Sequence, residues 1–146
     1  MTSQALIRIG TIVHRFLYRF SGGRIGSGGQ GRRFLLLTTT GRKTGKQRTV
    51  PLLYVPDGEN LVVVASNGAA AWDPAWWMNL KHNPRANIQV GRLVKTVRAE
   101  KASGEERRRL WAILTKVYPP YEGYEKRTTR EISVVILRPG GNQGDA

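Results

Sequence analysis

The segment at residues 41–48, GRKTGKQR, concentrates groups that could hold an anionic ligand. Its glycines let backbone N–H groups approach an anion, and its four Lys/Arg side chains add positive charge. The spacing is not that of an ATP-binding P-loop, because only three residues separate Gly41 from Gly45-Lys46 and Gln47 stands where Ser or Thr is needed. Two interpretations remain open: a phosphate-binding turn and a solvated hairpin tip.

Three tyrosines recur at every third position around a pair of prolines: Tyr118, Tyr121 and Tyr124. A phenol can hydrogen-bond a carbonyl oxygen or donate a proton to it. A surface loop held down by its aromatic side chains would have the same pattern, so both interpretations remain open.

The tripeptide Ser66-Asn67-Gly68 follows an apolar run and precedes a predicted helix. Backbone donors and a helix dipole converge at such a position, which favours ligand binding. A simple turn or cap explains the same residues.

The sequence has no cysteine and two histidines, His14 and His82. This excludes a disulfide scaffold, a Cys-ligated zinc site, an iron–sulfur cluster and a cysteine nucleophile. Two histidines cannot build a His-rich metal site, so no metal is predicted.

The charge is large and unevenly placed. The formal net charge is +14, and residues 1–56 contain ten Lys/Arg but no Asp/Glu, since the first carboxylate is Asp57. Such a surplus indicates an anionic partner: nucleic acid, anionic lipid or a polyanionic small molecule. The strand candidates lack the exposed aromatics that bases stack on, so a specific nucleic-acid partner is not favoured.

The N-terminal residues 4–20 have apolar side chains at helical spacing, interrupted by arginines, and predict a basic amphipathic helix. Neither a membrane-spanning helix nor a signal peptide is expected. The helix could lie in a membrane interface, pack on the body or bind nucleic acid. Residues 21–31 are glycine-rich and predict a linker, residues 32–139 form the body, and residues 140–146 are expected to be a flexible tail.

In the body, the sequence predicts groups of consecutive strands rather than strands that alternate one-for-one with helices. Strands are predicted at 34–40, 49–55, 61–66, 86–90, 93–99 and 132–137, and helices from Pro74 to before Pro84 and at 104–117. Asp73 is expected to cap the first of these helices, and Ser103 with Glu106 to form a capping box on the second. This order predicts a mainly β fold, an antiparallel sheet or barrel with peripheral helices.

Four separated segments together resemble one family, the deazaflavin-dependent nitroreductases and quinone reductases of actinobacteria, whose members bind coenzyme F420. The segments are LLLTTTGRKTGKQRTVPLLYV, VVVAS, PAWWMNLKHNP and YPPYEGY. The resemblance implies a split β-barrel of the flavin-reductase-like type. It also implies that reduced F420 passes hydride to a quinone, a nitroaromatic or another activated hydrophobic acceptor. FMN, which split barrels commonly bind, is the alternative cofactor.

The resemblance assigns one set of residues to the cofactor. They are Arg42, Lys43, Thr44 and Arg48 near its phosphate, Val50, Pro51 and Leu52 along the deazaflavin with Thr49 beside them, Ala65, Ser66 and Asn67 across from these, and Trp76 and Asn79, which would close the groove. A second set would shape the acceptor pocket: Leu53, Tyr118, Tyr121 and Tyr124. Tyr121 and Ser66 are the candidates for orienting or protonating the acceptor. At two positions the sequence departs from the family pattern, because relatives often have Tyr in place of Leu53 and Lys in place of Asn67.

The family resemblance and the basic N-terminal segment also give expectations about partners and location. The protein would be cytoplasmic and peripherally associated with the inner face of the plasma membrane through residues 4–20. Exposed strand edges allow a homodimer. An F420-binding module without robust reductase activity is the alternative function, and a basic nucleic-acid-binding barrel is the less favoured one.

Overall fold

The computed structural model describes residues 33–140. The predicted helix at 4–20, the linker at 21–31 and the tail at 141–146 lie outside the described residues. Within the described part the elements, in chain order, are β1 (Arg33–Thr40), β2 (Gln47–Asp57), β3 (Asn60–Val64), a short 3-10 helix (Asn67–Ala69), α1 (Ala75–His82), β4 (Arg85–Val90), β5 (Leu93–Lys101), α2 (Gly104–Val117), α3 (Pro120–Arg127) and β6 (Val134–Pro139).

The six strands form one closed barrel in the order β1-β2-β3-β6-β5-β4, and every neighbouring pair is antiparallel. Leu37 of β1 illustrates the closure, because it lies opposite Val50 of β2 on one side and Ile88 of β4 on the other. Directly opposed residues share a face, so alternate residues of each strand point into the barrel. The predicted mainly β architecture with peripheral helices is confirmed.

The barrel interior is filled by aliphatic side chains from all six strands, and α1 adds Trp76, Trp77 and Leu80 to the same core. Leu37 is fully buried there. Truncating such a leucine to alanine costs about 2–5 kcal/mol, because the transfer energy and the cavity energy add. This interior holds α1 close to the end of β1.

A second apolar cluster lies on the outer face of the barrel, under α2 and α3. The outward-facing valines Val55, Val62 and Val64 pack there against Leu110 and Leu114 of α2. The barrel therefore has one face covered by helices, and α3 is fixed by this second cluster.

Pro51 lies within β2, opposite Leu36 of β1. β2 pairs with β3 only from Val55 to Asp57, so the Pro51 segment has no partner strand on that side. Proline is tolerated at such an edge because no ladder hydrogen bond is lost.

Neither predicted cap forms its side-chain hydrogen bond, although Ser103 does occupy the N-cap position of α2. The residue that precedes α1 is Pro74, with no side-chain cap, and the Asp73 carboxylate instead binds two cations. Ser103 precedes α2, but its side chain forms no capping hydrogen bond, and Glu106 lies 3.8 Å from Arg138. The carboxylates of Asp73 and Glu106 therefore lie against cations instead of backbone N–H groups at the helix starts.

The region after α2 contains the helix α3, which was not among the predicted helices. Pro120 occupies its first turn, where a missing N–H costs nothing. The last strand begins at Val134, two residues after the predicted start at Ile132.

Candidate functional site

A groove of about 540 Å³ lies between the β1–β2 turn and α1. It is lined by Gly41, Arg42, Lys43, Thr44, Gln47, Arg48, Thr49, Val50, Ala75, Trp76 and Asn79. Every cation predicted to be near a phosphate lies here, together with Thr44, Thr49, Val50, Trp76 and Asn79 from the predicted cofactor set. The structure thus joins two segments that are about thirty residues apart in the sequence.

The β1–β2 turn has a fixed backbone conformation. The N–H of Gly41 donates to the carbonyl of Lys46 over 2.7 Å, and the N–H of Gly45 donates to the carbonyl of Gly41 over 2.8 Å. Gly45 has a φ of +75°, in the left-handed region that favours glycine. The turn therefore presents Arg42 and Lys43 from an ordered backbone.

Asn79 of α1 ties this turn to the barrel. Its Oδ1 accepts from the backbone N–H of Arg42 at 3.1 Å and from Arg42 Nη1 at 3.2 Å. Its Nδ2 donates to Thr39 Oγ1 at 3.0 Å. Because Asn79 is only 4% exposed, each of these bonds replaces a lost contact with water.

The groove is positively charged, and none of the described residues that line it carries a carboxylate. Among residues 33–140, no ion pair involves Arg42, Lys43, Lys46 or Arg48. Val50 and Trp76 supply apolar surface beside these cations. Cations whose charge is not neutralised, next to an apolar wall, suit a ligand that has an anionic group and a flat ring.

The remaining predicted cofactor residues do not line this groove. Leu52 packs toward the barrel core, and Ala65 is completely buried there. Pro51 lies on the opposite face of β2 from Leu52, and Ser66 and Asn67 begin the 3-10 helix beyond β3.

Three groove residues were missed from the sequence: Gly41, Gln47 and Ala75. Gln47 had counted only as a departure from the P-loop pattern. Ala75 is the first residue of α1, and a helix start that faces a basic turn is a signal that could have been used.

The three tyrosines form one aromatic cluster with Trp111 of α2. The ring centroids of Tyr118 and Tyr121 lie 4.8 Å apart, and those of Trp111 and Tyr121 lie 6.2 Å apart. Burial raises the pKa of the Tyr121 phenol well above its usual range, with further contributions from Tyr118 and Tyr124. The pKa of Tyr124 is also raised, first by its hydrogen bond with Tyr118 and then by burial.

This cluster belongs to the outer apolar layer and not to the groove. Leu53, the fourth predicted acceptor residue, lies opposite Phe34 and shares the outward face of β2 with Val55, which packs in that layer. The structure brings the tyrosines together but does not bring them to the cationic groove.

Residues 33–140 contain no group of three or more His, Cys, Asp or Glu side chains that could hold a metal ion. Over the same residues, no helix is long and apolar enough to cross a membrane.

Comparison with known proteins gives the family. The family model described as F420H(2)-dependent quinone reductase matches residues 11–139. The chain belongs to this family. An F420H(2)-dependent quinone reductase of Mycobacterium tuberculosis is 40% identical to this family member over 129 residues, which cover 86% of this chain and 87% of the relative.

Two solved structures are similar to it. One is an F420-H2-dependent reductase, FDR-A, with 39% identity and a TM-score of 0.67, covering 73% of this chain and 94% of that one. Another, described as a domain-swapped dimer, has 33% identity and a TM-score of 0.68, and the match covers 86% of this chain and 98% of that one. The predicted split β-barrel fold is confirmed.

Proposed function

We propose that this family member takes reduced coenzyme F420 as its hydride donor and reduces a quinone. Family membership supports the proposal, and so do the names of its relatives. The single observation that carries it is the cationic, carboxylate-free groove between the β1–β2 turn and α1. F420 has a phosphate, an oligoglutamate tail and a planar deazaflavin, so its chemistry matches the groove's charge and apolar wall.

The groove residues have distinct proposed roles toward the cofactor. Arg42, Lys43 and Arg48 would bind the phosphate and the acidic tail, with Thr44 as a neutral donor. Asn79 holds Arg42 in place through its two hydrogen bonds, so Arg42 is ordered before the ligand arrives. An ordered cation loses less conformational entropy on binding than a free one.

The deazaflavin would lie along β2, with Val50 and Trp76 as its closest apolar contacts and Thr49 at the groove wall. Thr49 is held by a hydrogen bond between its hydroxyl and that of Thr38, at 2.8 Å. Pro51 and Leu52 continue β2 beyond the groove, and Ala65, Ser66 and Asn67 would face the ring from the end of β3. These five assignments rest on the family resemblance.

When bound in its reduced form, F420 supplies the hydride. The protein's task is to hold the acceptor close to the donor and to stabilise the negative charge that grows on the acceptor oxygen. The Ser66 hydroxyl and the Tyr121 phenol are the proposed donors for that oxygen. Because its raised pKa keeps the Tyr121 phenol protonated, it would serve as a neutral hydrogen-bond donor rather than as a base.

The acceptor pocket is proposed at Leu53, Tyr118, Tyr121 and Tyr124. The three tyrosines belong to the apolar outer layer, and Leu53 lies on the outward face of β2, opposite Phe34, which suits a hydrophobic acceptor. A quinone is the acceptor that the family name indicates, and a nitroaromatic is a second acceptor of the same activated type.

The test is anaerobic turnover of reduced F420 with a soluble quinone, followed by the absorbance of the oxidised deazaflavin, with a nitroaromatic in a parallel assay. Quinone-dependent oxidation supports the proposal. Tight F420 binding without turnover of either acceptor would show instead a binding module that lacks reductase activity.

We also propose two associations. The basic segment 4–20 would contact anionic lipid at the inner face of the plasma membrane, where a lipid-soluble quinone resides. Removal of residues 1–31 should then abolish cosedimentation with anionic vesicles while F420 binding persists; unchanged cosedimentation would contradict this.

A homodimer is the second association, supported by the similar chain that forms a domain-swapped dimer. Light scattering should give about twice the 16.3 kDa chain mass. A monomer mass at micromolar concentration would contradict it.

A further inference from the structure

Arg130 lies between α3 and β6, and its side chain donates hydrogen bonds to backbone carbonyls of the segment that follows β3. Its Nη1 donates to the carbonyl of Ala65 at 3.1 Å, its Nη2 to that of Ser66 at 2.6 Å and its Nε to that of Ala70 at 2.8 Å. A guanidinium offers five N–H donors in a rigid fork, so one side chain can hold three carbonyls at once. Arg130 therefore clamps both ends of the segment 65–70.

The clamped segment has an unusual backbone. Asn67 has a φ of +47° and Gly68 a φ of +59°, so two successive residues are left-handed. A non-glycine residue keeps such a conformation only where its surroundings fix it. The Asn67 side chain adds one such contact, because its Nδ2 donates to the carbonyl of Trp72 at 3.1 Å.

The clamp is partly shielded from water and balanced in charge. The Arg130 side chain is 13% exposed, and its Nη1 lies 3.1 Å from Asp73 Oδ1. Asp73 also binds Lys81 Nζ through its other oxygen, at 3.0 Å. The carboxylate that fails to cap α1 thus orients the arginine that holds the neighbouring loop.

We infer that Arg130 is a positioning residue for the reductase. It sets the backbone position of Ser66 and Asn67, and hence the direction of the Ser66 hydroxyl toward the acceptor. The inference rests on the proposed function, because it assigns Ser66 to the acceptor side of that reaction. None of the partners of Arg130 among residues 33–140 lines the cationic groove that would bind the phosphate and the acidic tail, so Arg130 should affect turnover much more than cofactor affinity.

The test compares Arg130→Met and Arg130→Lys with the unsubstituted protein. Lysine keeps the charge but cannot bridge three carbonyls, so kcat should fall in both variants, by roughly ten- to a hundredfold in Arg130→Met and less in Arg130→Lys. The F420 Kd should rise by a much smaller factor than the one by which kcat falls, because the cationic groove is unchanged. Arg108→Met is the matched control and should keep both values, because Arg108 is 75% exposed and, within residues 33–140, pairs only with Glu105.

A double-substitution cycle with Ser66→Ala separates positioning from general stabilisation. If Arg130 acts through Ser66, adding Ser66→Ala to Arg130→Lys should lower kcat little further. Effects on kcat that multiply, an unchanged kcat in Arg130→Lys, or an F420 Kd that rises by as large a factor as kcat falls would each overturn the inference. Absence of F420-dependent turnover in the unsubstituted protein would instead contradict the proposed function on which the inference rests.

Discussion

The side-chain amide of Asn79 holds Arg42 twice, through the backbone N–H at 3.1 Å and through Nη1 at 3.2 Å, while its own Nδ2 is bound to Thr39 Oγ1 at 3.0 Å. One buried side chain on α1 therefore joins the barrel to the turn that carries the cations. Asn79 is remote in sequence from the β1–β2 turn but fixes its geometry. The sequence of the turn predicted its positive charge but not this contact.

We predict that Asn79→Leu weakens both folding and cofactor binding. The substitution leaves the Thr39 hydroxyl and the Arg42 N–H without their buried partner, which costs about 1–3 kcal/mol of unfolding free energy. Because Arg42 is then no longer ordered, F420 affinity should fall by about tenfold. Denaturant unfolding and an F420 titration check the two effects. Asn87→Ala, which removes an exposed cross-strand bond to Thr96, should leave the affinity unchanged; an equal loss there would contradict the role of Asn79.

Removing groove charge should weaken binding and its dependence on salt. Lys43→Gln and Arg48→Gln each take one cation from a groove without a carboxylate. F420 Kd should rise several-fold in each at low salt, and less at 1 M salt, where the Debye length is only about 3 Å. Lys95→Gln makes the same change on an exposed strand outside the groove and serves as the control. Equal losses in all three variants would indicate non-specific attraction.

The backbone of the β1–β2 turn gives a third prediction. Gly45→Ala places a side chain at a φ of +75°, so the strain should lower stability by roughly 1–2 kcal/mol although the space there is open. Gly123→Ala in α3 is the matched control with the opposite sign. Its Cβ would meet only the flexible Arg127 side chain at 3.6 Å, and helix propensity should raise stability by about 0.5–1 kcal/mol. Thermal unfolding distinguishes the two, and a neutral Gly45→Ala would contradict the need for glycine.

The raised pKa of Tyr121 predicts a loss of stability in alkali. The unfolded chain loses this phenolic proton near pH 10 while the folded chain retains it. The free energy of unfolding is therefore unaffected by this group below pH 10 and falls as the pH rises above 10. The slope from this residue is about 1.4 kcal/mol per pH unit. We therefore expect the unfolding free energy of Tyr121→Phe, measured by denaturant unfolding, to fall less steeply with pH above pH 10. From pH 7 to 9 its pH dependence should be parallel to that of the unsubstituted protein. Parallel curves above pH 10 would contradict the burial of this phenol as the cause.

Much of the fold was predictable because its signals are local. The apolar runs predicted all six barrel strands. The predictions of helix caps failed where a charged side chain binds the predicted capping carboxylate. Asp73 and Glu106 fit capping patterns in the sequence, but Asp73 pairs with Lys81 of α1 and with the distant Arg130, and Glu106 lies near Arg138 of β6.

The cationic half of the candidate site was also predictable, since the glycines and cations at 41–48 indicate a turn that could bind an anion. The bond from Asn79 to Arg42 could not be read, because it spans 37 positions and depends on how α1 meets the barrel. Arg130 was missed for the same reason: nothing in its local sequence shows that three carbonyls from residues 65–70 converge on it.

The most direct test of the account is a titration of the purified protein with F420, with FMN in parallel, following tryptophan fluorescence. Trp76 lines the groove, so a bound deazaflavin should quench its emission. The account predicts saturable quenching by F420 at micromolar concentration, weaker quenching by FMN, and loss of the F420 response in Arg42→Gln. Saturation by FMN alone would keep the fold and contradict the cofactor, and binding of neither would contradict the groove as a cofactor site.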